Sequence, residues 1–287
     1  MIHLPRLTRL IFAALSALAF AATSHAQTAP DAGRPIVIGR SYAMRSAVLG
    51  DERRINVYLP DDYGDARRSF PVVFLLDGGE KEDFHHITGL AQINAAYGQG
   101  REVIVVGIEG VDRRHDLTSP SASAADRKLL PTSGGAETYR RFLTEELKPW
   151  VAARYRTNGH TAVMGESLAG LFVAETLLRA PASFDDYIAV SPSLWWNSGA
   201  LAAEAADDLR RDRFSGQRAF VAFDDPAPPA EQAAKERREQ AQLAAAFAQV
   251  KPAGLTWTVT RPGKGHAGIY HPAAMEAFHA LYGPPGS

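Results

Sequence analysis

Ser167 lies in Thr161-Ala-Val-Met-Gly-Glu-Ser-Leu-Ala-Gly-Leu171, an apolar run that breaks at a serine flanked by small residues and resumes as an apolar helix. This is the pattern of a nucleophile elbow. A sharp strand-to-helix turn holds its central residue at strained φ/ψ and brings the flanking backbone so close that only small residues fit two positions either side. Gly165 and Ala169 occupy those positions, Ala169 standing where the strict pattern has glycine, with Gly170 directly after it. The same residues would serve a serine that merely caps a helix. A serine hydroxyl is a weak nucleophile until a base takes its proton, so the chemical reading requires a base, an acid and oxyanion donors elsewhere in the chain.

Candidates for each follow apolar runs. After Pro71–Leu76 comes Asp77-Gly-Gly-Glu80, where small residues leave backbone N–H groups free to approach an oxygen. Gly79 and Leu168, the residue after the serine, are the expected oxyanion donors; Asp-Gly-Gly is equally good turn chemistry. The run Ala219–Phe223 ends in Asp224-Asp225-Pro226, so Asp225 is the first choice of acid, with Asp224 and Glu231 as alternatives. Two aspartates after a strand also serve as turn or cap residues. The last apolar run leads to Gly263-Lys-Gly-His266-Ala-Gly268, a mobile setting that lets His266 act as general base. Of the nine histidines, His160 and His279 read as surface or packing residues. His85, His86, His115 and His271 are pocket candidates without the spacing of a metal site. Ser167, Asp225 and His266 in that chain order describe acyl transfer; with water as acceptor, it is ester hydrolysis needing no cofactor or metal.

The elements that must hold these residues alternate. Pro35–Val48 and Arg54–Leu59 read as strands separated by a Gly50-Asp51 turn. Pro71–Leu76, Glu102–Ile108, Thr161–Met164, Tyr187–Val190, Ala219–Phe223 and Leu255–Thr260 read as further strands, most of them apolar on both faces as in covered sheets. Helical spacing marks Glu137–Tyr155, Leu168–Arg179, Ala230–Val250 and Ala273–Tyr282. Alternation of this kind implies an α/β chain with a mostly parallel, doubly wound sheet, helices on both faces and a ligand site beyond the carboxyl ends of the strands. Arg6 and Arg9, the apolar run Leu10–Ala22 and Ser24-His-Ala26 read as a signal peptide cut after Ala26, an uncleaved anchor being the alternative. Residues 27–287 are then expected to form a single exported domain, periplasmic or secreted, without stable membrane insertion. The chain has no cysteine and a formal net charge of −1. That excludes disulfides and argues against a nucleic-acid partner.

The sequence also resembles the esterase D-type group of α/β-hydrolases over most of its length. The segments that carry the resemblance are Phe70–Gly78, Val105–Thr118, Gly134–Pro149, Gly165–Leu171, Tyr187–Asn197 and Gly265-His266. Arg113-Arg-His-Asp-Leu-Thr118 and Ser191-Pro-Ser-Leu-Trp-Trp-Asn197 are similar to the branch that cleaves ferric-siderophore (enterobactin-type) trilactones. The resemblance implies a serine carboxylic ester hydrolase, with feruloyl, acetyl or general acyl esters, or acyl transfer, as alternatives. A non-catalytic binding protein on the same fold is a further alternative. It also implies that the acid can be dispensable, since some such esterases are Ser-His dyads. Glu166 stands where many members have histidine. Arg113 and Arg114, with Trp195 and Trp196 after neighbouring strands, suit an anionic aromatic ligand such as an iron-catecholate; His85 and His86 are secondary candidates. Arg113 paired with Asp112 or Asp116, and one tryptophan in the core, would account for the same residues without substrate.

Overall fold

In the computed structural model, which describes residues 34–284 except Asp212, the strand Phe70–Leu76 is buried along its whole length. Its side chains alternate between two cores: Val72, Phe74 and Leu76 enter one cluster, Val73 and Leu75 the other. The period of two along a strand produces this division, and only a sheet covered on both faces buries both sets. The eight strands are β1 Arg40–Arg45, β2 Glu52–Tyr58, β3 Phe70–Leu76, β4 Ile104–Ile108, β5 Thr157–Glu166, β6 Asp186–Val190, β7 Gln217–Ala222 and β8 Leu255–Thr260. They form one sheet in the order β1-β2-β4-β3-β5-β6-β7-β8. The β1–β2 and β2–β4 pairs are antiparallel and the other five parallel. The fold is α/β-hydrolase-like, as expected. The described residues from Ile38 onward belong to one compact unit.

Nine α-helices are described: α1 Phe84–Ala96, α2 Arg113–Asp116, α3 Ala124–Leu129, α4 Ala136–Arg141, α5 Lys148–Ala152, α6 Leu168–Arg179, α7 Ala200–Arg211, α8 Ala230–Val250 and α9 His266–Tyr282. The expected helix 137–155 is interrupted by a π turn over Phe142–Leu147. Pro149 lies just beyond it, and its missing N–H removes a hydrogen bond the α pattern would use. The first strand is shorter than expected, and α1 and α7 were not foreseen. The last helix begins seven residues earlier than its expected start and carries Pro272 inside it. Among the described residues no helix is long and apolar enough to cross a membrane. The expected leader over residues 1–26 lies outside the described residues.

Candidate active site

Ser167 joins β5 to α6 with φ 61° and ψ −118°, a conformation that costs a non-glycine residue energy and must be held by its surroundings. Its N–H donates to the Val190 carbonyl on β6, 3.0 Å away. A Cβ on Gly165 would fall 2.4 Å from the Ala169 Cβ, and one on Gly170 would fall 2.5 Å from the Val190 carbonyl oxygen. Closest approach to β6 is therefore made at Gly170, one residue later than the strict pattern places its second glycine. Ala169 fits because Gly165 leaves room for its methyl.

His266 is the first residue of α9. Ser167 and His266 both line one cavity of about 430 Å³, as do Leu168, Ser191 and Asp224. The imidazole Nδ1 lies 2.7 Å from Ser191 Oγ and 3.8 Å from Asp224 Oδ2. Asp224 is held by the Gln240 side chain, whose Nε2 donates to Oδ1 at 3.0 Å, and Gln240 in turn accepts from Arg261 at 2.6 Å. Asp225, the first-choice acid, is exposed and serves through its backbone, its N–H donating to the Lys264 carbonyl at 2.8 Å. Glu231 is exposed in the first turn of α8. Of the three acid candidates, Asp224 is the one that the structure brings to the imidazole.

Sequence reasoning missed the two serines around Pro192. Ser191 touches the imidazole, and Ser193 Oγ lies 3.3 Å from Ser167 Oγ while its N–H donates to the Ser167 carbonyl at 3.1 Å. The available signal was two hydroxyls spaced by two, directly after β6 at the carboxyl end of the sheet. The other missed group is the α8 face, Glu236, Glu239 and Gln240, which also lines the cavity; nothing in a charged helix distinguishes it from a solvated surface.

The expected oxyanion donors separate. Leu168 lines the cavity, and as the first helical residue its N–H has no acceptor within its own helix. The Gly79 N–H donates instead to Glu82 Oε2 at 2.7 Å, and Gly79 lines a different cavity with Arg54 and Glu109. A carboxylate three residues on fills the place the sequence leaves for a ligand oxygen.

The sequence profile of the esterase family matches residues 46–250. The chain belongs to that family. The ferri-bacillibactin esterase BesA of Bacillus subtilis is 34% identical over 144 residues, which are 45% of this chain and 49% of that protein. The siderophore triacetylfusarinine C esterase of Aspergillus fumigatus is 32% identical over 158 residues, 50% of this chain and 51% of its own. The chain thus spans about half the length of the curated relatives it matches. Among solved structures, an IroE-like serine hydrolase from Shewanella oneidensis aligns with a TM-score of 0.77 at 24% identity, covering 85% of this chain and 80% of its own. The siderophore hydrolase EstA from Aspergillus nidulans aligns at 0.70 and 22%, covering 96% and 98%. Both share the fold.

In this chain the expected substrate residues divide. Arg113, Arg114 and Trp195 line the Ser167 cavity. Arg113 is held by Asp77, not by Asp112 or Asp116: its Nη2 donates to Asp77 Oδ2 at 2.7 Å and its Nε to Oδ1 at 3.1 Å. That hydrogen-bonded carboxylate raises its pKa and neutralises its charge locally. Asp116 instead pairs with Arg53, both buried. Trp196 is a core residue, 3% exposed, with its Nε1 donating to the Ser119 carbonyl at 2.9 Å. His85 is exposed on α1 and lines neither cavity.

His86 lines a further, smaller cavity with Glu166, Asp83, Tyr270 and His271. Its Nε2 is 3.2 Å from His271 Nδ1, and its Nδ1 is 3.3 Å from Asp83 Oδ1. Burial, reinforced by the charge of Asp83, lifts the Glu166 carboxyl to about 7. Glu166 therefore places a titrating carboxyl immediately before Ser167.

Proposed function

We propose that this esterase hydrolyses carboxylic esters through an acyl intermediate on Ser167. The observation that carries the reading is the sharing of one cavity by an elbow serine and an imidazole whose Nδ1 is already engaged by Ser191 and faces Asp224. With Nδ1 so held, Nε2 is the nitrogen left to take the Ser167 proton. Ser167 Oγ then bonds to the ester carbonyl carbon, and its oxygen becomes an oxyanion held by the Leu168 N–H. Collapse breaks the bond to the alcohol, which leaves with the proton from His266. Water repeats the sequence: His266 takes its proton, its oxygen attacks the acyl carbon, and Ser167 recovers the proton as the acid departs.

The substrate class follows the relatives. The two sequence relatives are named as siderophore esterases, and Arg114 and Trp195 offer a cation and an aromatic face at the cavity. A siderophore ester, free or as its iron complex, is the substrate we assign. The leader pattern at Arg6–Ala26 supports action outside the cytoplasm. Fluorophosphonate labelling tests the mechanism: wild type should label stoichiometrically and Ser167→Ala not at all, and equal labelling of both would remove Ser167 from the role. Comparison of ferric trilactones with feruloyl and p-nitrophenyl esters tests the substrate. A kcat/KM on the iron complexes no higher than on the simple esters would overturn the siderophore assignment.

A further inference from the structure

Attack on an ester places a negative charge on the former carbonyl oxygen, and a single backbone N–H is half of the usual provision for it. Of the two expected donors, Leu168 lines the Ser167 cavity and Gly79 does not, its N–H being committed to Glu82 Oε2 at 2.7 Å. Glu82 is held in turn, since the Gly110 N–H donates to the same oxygen at 3.3 Å. A second donor must therefore come from another group on the cavity wall. Ser193 is such a group. It lines the same cavity, is 7% exposed, and its Oγ lies 3.3 Å from Ser167 Oγ. The oxyanion and Ser167 Oγ are bonded to one carbon in the intermediate, so a hydroxyl within reach of one is within reach of the other.

Ser193 is also fixed before any substrate arrives. Its N–H donates to the Ser167 carbonyl at 3.1 Å, and its own carbonyl accepts from the Trp196 N–H at 3.2 Å. Two residues earlier, the Ser191 N–H donates to the Ala222 carbonyl on β7 at 2.7 Å. Between the two serines, the ring of Pro192 fixes the backbone, and this loop rests on the elbow itself: a Cβ on Gly170 would fall 3.2 Å from Pro192 Cα. A donor held in advance costs no reorganisation when the charge develops. We propose that Ser193 is a catalytic residue whose hydroxyl is the second oxyanion donor, beside the Leu168 N–H. The inference rests on Ser167 as the nucleophile. As Ser167 gives its proton to His266 and its Oγ bonds to the ester carbon, the C=O pair moves onto oxygen, and the Ser193 O–H turns about its Cβ–Oγ bond toward that oxygen. Ser193 keeps its proton, forms no bond to carbon, and is released when the C=O re-forms and the alcohol leaves.

The test uses the purified protein, a p-nitrophenyl ester and its thiono analogue, in which C=S replaces C=O. Ser193→Ala should lower kcat/KM on the oxygen ester about a hundredfold, the loss from removing one oxyanion donor. On the thionoester the loss should be less than about tenfold, because sulfur accepts hydrogen bonds weakly and gains little from the hydroxyl. Retained thionoester turnover also shows that the variant is folded. Equal losses on both substrates would mean that Ser193 only positions the elbow, and no loss on the oxygen ester would mean that it does nothing; either overturns the inference and leaves the serine mechanism standing. Glu82→Ala, which frees the Gly79 N–H, should leave the ester-to-thionoester ratio of kcat/KM unchanged. A change in that ratio returns the second donor to Gly79 and also overturns the inference. Hydrolysis of the oxygen ester by Ser167→Ala as fast as by wild type overturns the mechanism and the inference together.

Discussion

Ser191 Oγ stands 2.7 Å from His266 Nδ1, whereas Asp224 Oδ2 is 3.8 Å from the same nitrogen. The group within hydrogen-bond distance of the imidazole is thus a hydroxyl, and the carboxylate stands beyond it. A hydroxyl can fix the ring's tautomer and orientation, but only the carboxylate can stabilise a full imidazolium charge. Ser191→Ala should therefore lower kcat roughly tenfold, the low side of what a positioned proton-transfer group contributes. Asp224→Asn should cost more, up to the about ten-thousandfold loss of a strictly required triad acid. Steady-state rates on a p-nitrophenyl ester across pH distinguish them. A Ser191 loss equal to or above the Asp224 loss would make this a hydroxyl-supported dyad.

Asp225→Asn should leave both stability, within about 0.5 kcal/mol, and turnover where they are, because its side chain is exposed and its structural contact is made by the backbone. Denaturant midpoints and kcat/KM measured side by side with Asp224→Asn check this. A larger activity loss at 225 than at 224 would reverse the assignment of the acid.

Glu166 makes stability depend on pH. The folded state keeps this carboxyl protonated up to about 7, while the unfolded chain loses the proton near the ordinary value of 4.5. Between those limits the folded state binds more protons, so this group's contribution to stability declines as pH rises. Glu166→Gln, which cannot ionise, should flatten the fall in Tm from pH 5 to pH 7 relative to wild type. A steeper fall in the variant would contradict the raised carboxyl.

At the elbow, Gly170→Ala places a methyl 2.5 Å from the Val190 carbonyl oxygen, a backbone atom that cannot swing aside. Overpacking of this kind costs about 1–3 kcal/mol. Because the displaced strand also accepts the Ser167 N–H, activity should fall with stability, whereas Ala169→Gly should be mild. Thermal unfolding and fluorophosphonate labelling rates report the two effects separately.

Behind the Arg113 segment, Arg53 and Asp116 form an ion pair with both side chains 4% exposed. Removing Asp116 leaves the Arg53 guanidinium to Asp51 alone, 2.9 Å away, so Asp116→Ala should destabilise by about 1–3 kcal/mol, less than the loss of a wholly unpaired buried charge. Urea titration measures it directly. A change below about 1 kcal/mol would mean that water reaches the guanidinium.

Local patterns were the legible part of the site. Ser167 and His266 follow from short motifs at strand ends, because an elbow needs small residues at set offsets and a loop histidine needs glycine neighbours. The acid was ambiguous because Asp224 and Asp225 are adjacent, and neighbouring residues in extended chain face opposite ways. A one-residue difference in where β7 ends decides between them. The fate of Gly79 depended on the rotamer of Glu82, and that of Arg113 on Asp77, thirty-six positions away in the chain; neither contact has a sequence signature. The last helix was expected to span Ala273–Tyr282, and it begins at His266 instead. In the structure Pro272 lies inside α9, where it leaves the carbonyl four residues earlier without its helical N–H donor.

Strand order and chain order coincide across β5-β6-β7-β8. Ser167, Ser191, Asp224 and His266 consequently arise one after another from neighbouring strand ends, all within residues 157–282. The preceding part of the chain brings Arg113 and Arg114 and covers the other side of β5 with β3. A cut in the exposed α3 region would thus leave every proposed reacting group on one fragment and both arginines on the other. For protein engineering, that division places new termini, or an inserted reporter domain, where reassembly rather than chemistry would be interrupted.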